Sequence, residues 1–204
     1  GIAKVWQKYV PGRRYIAGSD VSHGVGLDKS VTVVVDVATG MVVADVSSRT
    51  TETLQFALDS VALLRAYDHP VWVIEDNDWG RRVIDRAIAV EYPRVFYRGE
   101  SKAGWRTNDY TRPILWGNVL DALTHRTIVL PNAEAVEEME TLIRNPDKHG
   151  RIEAAAGGTD DYMTALGIAL TCKEYAVRGE TAFDQMKMAE RGSMFKWGGK
   201  RTRT

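Results

Sequence analysis

Cysteine is almost absent from this 204-residue chain: Cys172 stands alone. That excludes a disulfide framework and any cysteine-rich zinc module, and it fits a reducing compartment. An excess of charge of one sign is missing as well. The 27 lysines and arginines meet 27 acids, for a formal net charge of zero. A histone-like polycation is thereby excluded, although a local basic patch is enough for nucleic-acid binding. No stretch approaches the roughly 18 consecutive apolar residues of a membrane span, so no membrane partner is expected. The four histidines, His23, His69, His125 and His149, show no zinc-ligand spacing. The opening GIAKVWQKYV has neither an initiator methionine nor a signal-peptide pattern, and the chain reads as a piece of something longer. What is present, 44% hydrophobic and 26% charged residues, describes a globular domain. A chain of this length buries roughly 70% of its unfolded surface and needs no covalent or metal staple.

Periodicity divides the chain into strands and helices. Tyr15–Ser19 runs into Asp20, and Ser30–Val37 (SVTVVVDV) is a dense β-branched run of the kind found in buried strands. Thr39-Gly40 then turns into MVVADVSS, which predicts an antiparallel meander of three strands. Thr51–Ala66 changes to helical spacing, with Thr51 or Thr53 as the expected cap. Val71–Glu75 (VWVIE) is a short apolar strand closing on an acid, DWGRRVIDRAIAVEY returns to helix, and Arg94–Arg98 is a further short strand. Gly99–Arg112 has no period and reads as a loop, Pro113 opens the next helix, and TIVL is a brief strand. Ala133–Asn145 is expected as one helix, and Glu134, Glu137, Glu138 and Glu140 as its solvated acidic face. Arg151–Ala155 is a short strand, and Asp160–Ala176 is the last helix, with Thr159 as its N-cap. The order is mixed α/β, three adjacent strands followed by helix–strand alternation. The expected divisions are an N-terminal extension over 1–13, one domain over 14–179 and a basic tail over 180–204.

Asp20 and Glu75 each close a strand, and Asp160 and Asp161 open the last long helix. Acids at such places are often solvated turn or helix-start residues. Their surroundings argue for more: a polar, Gly-containing loop follows Asp20, IEDNDWG surrounds Glu75, and Gly157-Gly158 precedes the aspartate pair. Carboxylates at strand C-termini and a helix N-terminus can meet at one edge of a sheet, the usual place for a site in α/β proteins. Together they repel one another unless divalent cations lie between them. Oxygen-only ligands select hard ions, Mg²⁺ or Mn²⁺, over zinc. Asp76 is the weaker candidate, since neighbouring strand residues point to opposite faces.

These residues resemble a known family. Asp20-Val21-Ser22-His23-Gly24 is similar to the first nuclease motif of the large terminase subunit of tailed bacteriophages, Glu75–Gly80 (EDNDWG) to its second, and Gly158–Leu166 (GTDDYMTAL) to its third. Gly104–Pro113 resembles the segment ahead of a family helix, and Thr159 stands where the third motif usually has His. The likeness runs from about Arg14 to Tyr175. It implies an RNase H-like nuclease fold and metal-dependent cleavage of double-stranded DNA during genome packaging in the host cytoplasm. It also implies an ATPase motor elsewhere in the full protein, with the portal and small terminase subunit as partners. The motor's phosphate loop is not in this sequence: Asp28 in GVGLDKS stands where the glycine before Lys belongs, so no nucleotide site is expected.

On this reading Asp20, Glu75, Asp160 and Asp161 are the catalytic acids and hold two Mg²⁺ or Mn²⁺ ions. Asp160 and Asp161 lie about 100° apart on a helix, so one faces the ions and the other stands behind. DNA is expected on cations. Between Arg94 and Arg112 five cations face two acids, and the candidates there are Arg98, Lys102, Arg106 and Arg112, with Trp105 among them. Lys200 and Arg201 in the tail are further candidates. His23, in the first motif loop, is a possible substrate contact. Two alternatives remain at this stage: another RNase H-like nuclease of the resolvase or transposase type, or a non-catalytic DNA-binding packaging module.

Overall fold

Two β-branched runs supply the centre of the sheet. In the computed structural model, which describes residues 2–23, 28–148 and 150–176, Ser30–Asp36 (β3) and Val42–Ser48 (β4) form a hairpin around Gly40, whose φ of +70° suits the turn. Tyr15–Asp20 (β2) lies antiparallel on the other side of β3. The expected meander is therefore present. Val71–Ile74 (β5) then pairs parallel with β2, which requires a crossover, supplied by Thr53–Arg65 (α1). Ala3–Val5 (β1) pairs with the outer edge of β4, so the segment read as an extension contributes a strand. The sheet order is β1-β4-β3-β2-β5.

Both faces of the sheet are covered. Tyr15, Ala17, Val34 and Ile74 pack with Phe56 and Leu64 of α1 and with Val83 and Ile84 of α2 (Asp78–Ala89). The opposite face, Ile16, Val31, Val33 and Val73, packs with Leu115 and Val119 of α3 (Thr111–Thr124) and Leu166 of α5 (Asp161–Thr171). α5 is an interior helix, with ten of its eleven residues buried. That explains its weak amphipathic pattern.

Three expectations are corrected. The helix over Ala133–Asn145 stops at Glu140 (α4, Ala133–Glu140), because Leu142–Asn145 (β8) pairs with Arg151–Ala154 (β9) as a hairpin. Arg94–Arg98 is divided: Val95 bridges parallel to Trp72 of β5, and only Tyr97–Arg98 forms a strand (β6), paired with Lys102–Ala103 (β7) inside the segment expected as loop, while TIVL gives a single bridge from Val129 to Met41. The caps also differ. Glu52, not a threonine, accepts from the Leu54 and Gln55 amides, and Asp160, not Thr159, is the residue at the start of α5. Among the described residues no helix is long and apolar enough to cross a membrane.

Candidate active site

The register of two parallel strands sets the centre of the site. Ser19 pairs with Ile74, and the Glu75 amide donates to the Ser19 carbonyl at 2.9 Å, so Asp20 and Glu75 leave the sheet side by side. By strand alternation both project to the face that carries Ile16 and Val73, where α5 lies. Their carboxyl groups share a hydrogen bond. Burial and the adjacent Glu75 push Asp20 well above the usual carboxylate range, with Asp161 and Asp160 adding to the effect. Asp161, 8% exposed at the start of α5, is raised to about 6, chiefly by burial, against the opposing effect of the Lys29 amide, which donates to its Oδ2 at 2.8 Å. Asp160 stands further out and accepts from Arg112 Nη2 at 2.8 Å.

The supporting residues are specific. Asn77 caps α2 by accepting from the Gly80 amide at 2.6 Å, and its Nδ2 donates to Glu75 Oε2 at 2.9 Å and to the Val21 carbonyl at 3.1 Å. One side chain thus starts a helix, orients an acid and fixes the loop after Asp20. Asp76 points the other way, into ion pairs with Arg81 and Arg98, as strand alternation requires. On the far face the Trp72 indole donates to Ser19 Oγ at 2.7 Å, and Ser19, Thr32 and Ser60 continue a buried hydroxyl chain.

Other sequence candidates fall as follows. Arg98 is half-buried against Asp76. Lys102 and Arg106 are exposed. Trp105 is partly buried and extends the sheet past β5, its amide donating to the Ile74 carbonyl at 2.7 Å and its carbonyl accepting from the Asp76 amide. His23 stacks on Trp79 with ring centroids 4.0 Å apart, and the Arg82 guanidinium lies 4.4 Å from the same indole. Lys29 is buried, its amine 3.1 Å from Glu134. Lys200 and Arg201 lie outside the described residues.

Glu138 was missed. It is not part of a solvated face; it is 6% exposed, accepts from the Met163 amide at 2.8 Å and from the Thr159 hydroxyl at 3.3 Å, and so caps α5 from a neighbouring helix. Burial raises it to about 7. The only sequence signal was its place three residues after buried Ala135, on the inward stripe of α4.

The donor chemistry suits a hard divalent ion. All four candidate groups are carboxylates, and Glu75, Asp161 and Asp160 all act on Asp20. Among the described residues, however, no three His, Cys, Asp or Glu side chains close around one point. Asp20 and Glu75 touch, while Asp161 is held by Lys29 and Asp160 by Arg112.

At the level of sequence, neither a family model nor a curated protein matches the chain. Solved structures do. The large terminase nuclease from thermophilic phage G20c with bound magnesium superposes with a TM-score of 0.68 at 18% identity, covering 84% of this chain and 87% of that one. The Thermus phage P74-26 large terminase nuclease domain gives 0.67 at 18%, covering 83% and 84%. The chain has the large terminase nuclease fold. The G20c nuclease was also solved with cobalt and with zinc, and those structures match at TM-scores of 0.68 and 0.64. The mixed sheet expected from strand order, which the terminase resemblance implied to be RNase H-like, is thus observed, and this chain adds two short hairpins, β6–β7 and β8–β9, that strand order did not reveal.

Proposed function

We propose that this chain is a divalent-metal-dependent endonuclease that cuts double-stranded DNA in genome packaging. The observation that carries the proposal is the adjacency of Asp20 and Glu75 at the C-terminal ends of β2 and β5, with α5 bringing Asp161 to the same edge. The likeness to terminase nucleases solved with magnesium, cobalt or zinc supports it and favours this reading over a resolvase or transposase.

Asp20, Glu75 and Asp161 would hold Mg²⁺ or Mn²⁺, with Asp160 completing the set once Arg112 yields it. Two such ions supply an activated water and charge stabilisation on the leaving oxygen. The chain's own part is to preorganise the acids. Asn77 aims Glu75, and the Lys29 amide and the Glu138 cap fix Asp161. Lys102, Arg106 and Arg112, with Trp105, would take the DNA backbone beside this edge, giving sequence-tolerant, salt-dependent affinity. An ATPase motor, the portal and the small terminase subunit would be partners in the packaging machine.

The test is plasmid nicking with Mn²⁺ or Mg²⁺, with and without EDTA, for the wild type and for Asp20→Asn and Glu75→Gln. Metal-dependent nicking that both isosteric variants lose supports the proposal. Nicking that persists in both, or its absence from a folded wild-type protein at every metal concentration, rejects it.

A further inference from the structure

Between α3 and the β8–β9 hairpin lies a cleft of about 540 Å³, within the roughly 300–1,000 Å³ of small-ligand pockets. Arg112, Arg144, Lys148 and Arg151 line it, and among the described residues Asp109 is the only acid in its wall. Glu153 lies behind Lys148 and Arg151, and Asp160 behind Arg112. Even with those two acids counted, cations remain in excess. The floor is apolar, formed by Trp116, Leu120 and the helix surface at Gly117. With four basic side chains against one acid among its lining residues, the wall is cationic.

Gly117 is the telling residue. It sits in the middle of α3, where glycine costs about 1 kcal/mol relative to alanine. Packing does not require it, because a Cβ there would meet nothing within 4 Å. Gly167 of α5, by contrast, is needed, since a Cβ there would stand 2.4 Å from Leu115. What the missing side chain at Gly117 does is keep the floor of the cleft open. Arg112 joins this cleft to the acidic edge, holding Asp160 Oδ2 at 2.8 Å and the Ile152 carbonyl of the hairpin at 3.3 Å with one nitrogen.

We propose that the cleft binds one unpaired nucleotide of a DNA strand, its phosphate on the Arg144–Lys148–Arg151 rim and its base flat on the floor at Gly117 and Leu120. Position makes DNA the source of that nucleotide, and in this the inference rests on the nuclease reading. A strand crossing the acids passes Arg112 next. The chemistry is that of single-strand recognition, in which cations track phosphates and an apolar surface takes any base.

The probes are dAMP, deoxyadenosine and inorganic phosphate, titrated in EDTA into the full chain and followed by NMR at the Gly117 amide and the Trp116 indole. dAMP is expected to bind about tenfold tighter than phosphate, at the lower end of what base stacking contributes. Gly117→Leu, which has room and raises helix propensity, should leave the melting temperature unchanged or higher. It should weaken dAMP about tenfold while sparing phosphate. Arg151→Glu should weaken both ligands. If dAMP binds no tighter than phosphate, the site takes an anion alone and the proposal is overturned; unchanged dAMP affinity in Gly117→Leu also overturns it. Plasmid nicking on the same preparations separates the two readings. Nicking without dAMP shifts rejects only the cleft, and dAMP shifts without nicking reject only the nuclease.

Discussion

Gly18 of β2 lies against Ala165 of α5 so closely that a Cβ on Gly18 would stand 2.2 Å from the Ala165 carbonyl oxygen and 2.7 Å from the Ala169 amide nitrogen. Two residues along β2 is Asp20, and one helical turn back from Ala165 is Asp161. The contact therefore sets how near the strand acid and the helix acid come. Gly18→Ala must move the helix off the sheet, since neither backbone can yield locally. The variant should lose about 1–3 kcal/mol of stability. Its nicking rate, measured well below the lowered melting temperature, should fall further than the unfolded fraction explains. A Gly18→Ala protein with wild-type melting and wild-type nicking would show that this spacing does not position the acids.

Asn77 offers a way to separate folding from site geometry. Asp is as good an N-cap as Asn, so Asn77→Asp keeps the acceptor for the Gly80 amide. It loses the two donations from Nδ2, to Glu75 and to the Val21 carbonyl, and sets a second carboxylate beside Glu75. The expected result is an unfolding free energy changed by less than the ~1 kcal/mol that loss of a cap costs, together with a clear fall in nicking. A proportional loss of both, or of neither, contradicts the assigned role.

The sheet and the candidate acids were legible because each rests on a local signal. SVTVVVD can be little other than a buried strand, and Asp20 and Glu75 each stand where a shorter apolar run, YIAGS or VWVI, gives out into polar sequence. The register that sets Asp20 beside Glu75 was not legible, because parallel pairing across the α1 crossover depends on tertiary packing. The β8–β9 hairpin was missed for a similar reason. LIRN continues the polar helical pattern of α4, and only its pairing with RIEA makes it a strand. Glu138 read as surface because nothing in EAVEEME says that one of its acids faces the bare amides of another helix.

Asp45 carries a pH signature. It is fully buried in β4 and accepts from Asn132 Nδ2 at 2.7 Å and the Tyr162 hydroxyl at 2.8 Å, both on Oδ2, while Oδ1 has no partner. Burial raises it above the usual carboxylate range despite those two donors. With the folded value above the unfolded one, the native state holds the proton more tightly. The stability from Asp45 is therefore full below the unfolded value near 3.8 and is lost as pH rises through the raised folded value. Asp45→Asn keeps an acceptor for Asn132 and Tyr162 and removes the titration. Urea denaturation across this range should show a flatter pH profile for Asp45→Asn than for wild type, with the variant no less stable at neutral pH. Asp45→Ala, which strands two buried donors, should cost about 1–3 kcal/mol. A steeper profile in Asp45→Asn would sink the assignment.

Arg98, Lys102 and Arg106 come from one basic stretch of sequence, yet the structure gives them different work. Asp76 is 9% exposed and is neutralised from two sides, by Arg81 and by Arg98. Arg98→Gln would leave that buried carboxylate with one cation, and the expected cost is about 1–3 kcal/mol of stability. The logarithmic salt dependence of DNA binding should hardly change, because the guanidinium is already engaged. Lys102 and Arg106 are exposed. Lys102→Gln and Arg106→Gln should leave melting unchanged, weaken binding uniformly across DNA sequences and each reduce the salt slope by about one. Thermal melts and anisotropy titrations at several salt concentrations on the three variants distinguish the roles. A reduced slope with an unshifted melt in Arg98→Gln would move Arg98 to the DNA surface and leave Arg81 as the partner that Asp76 depends on.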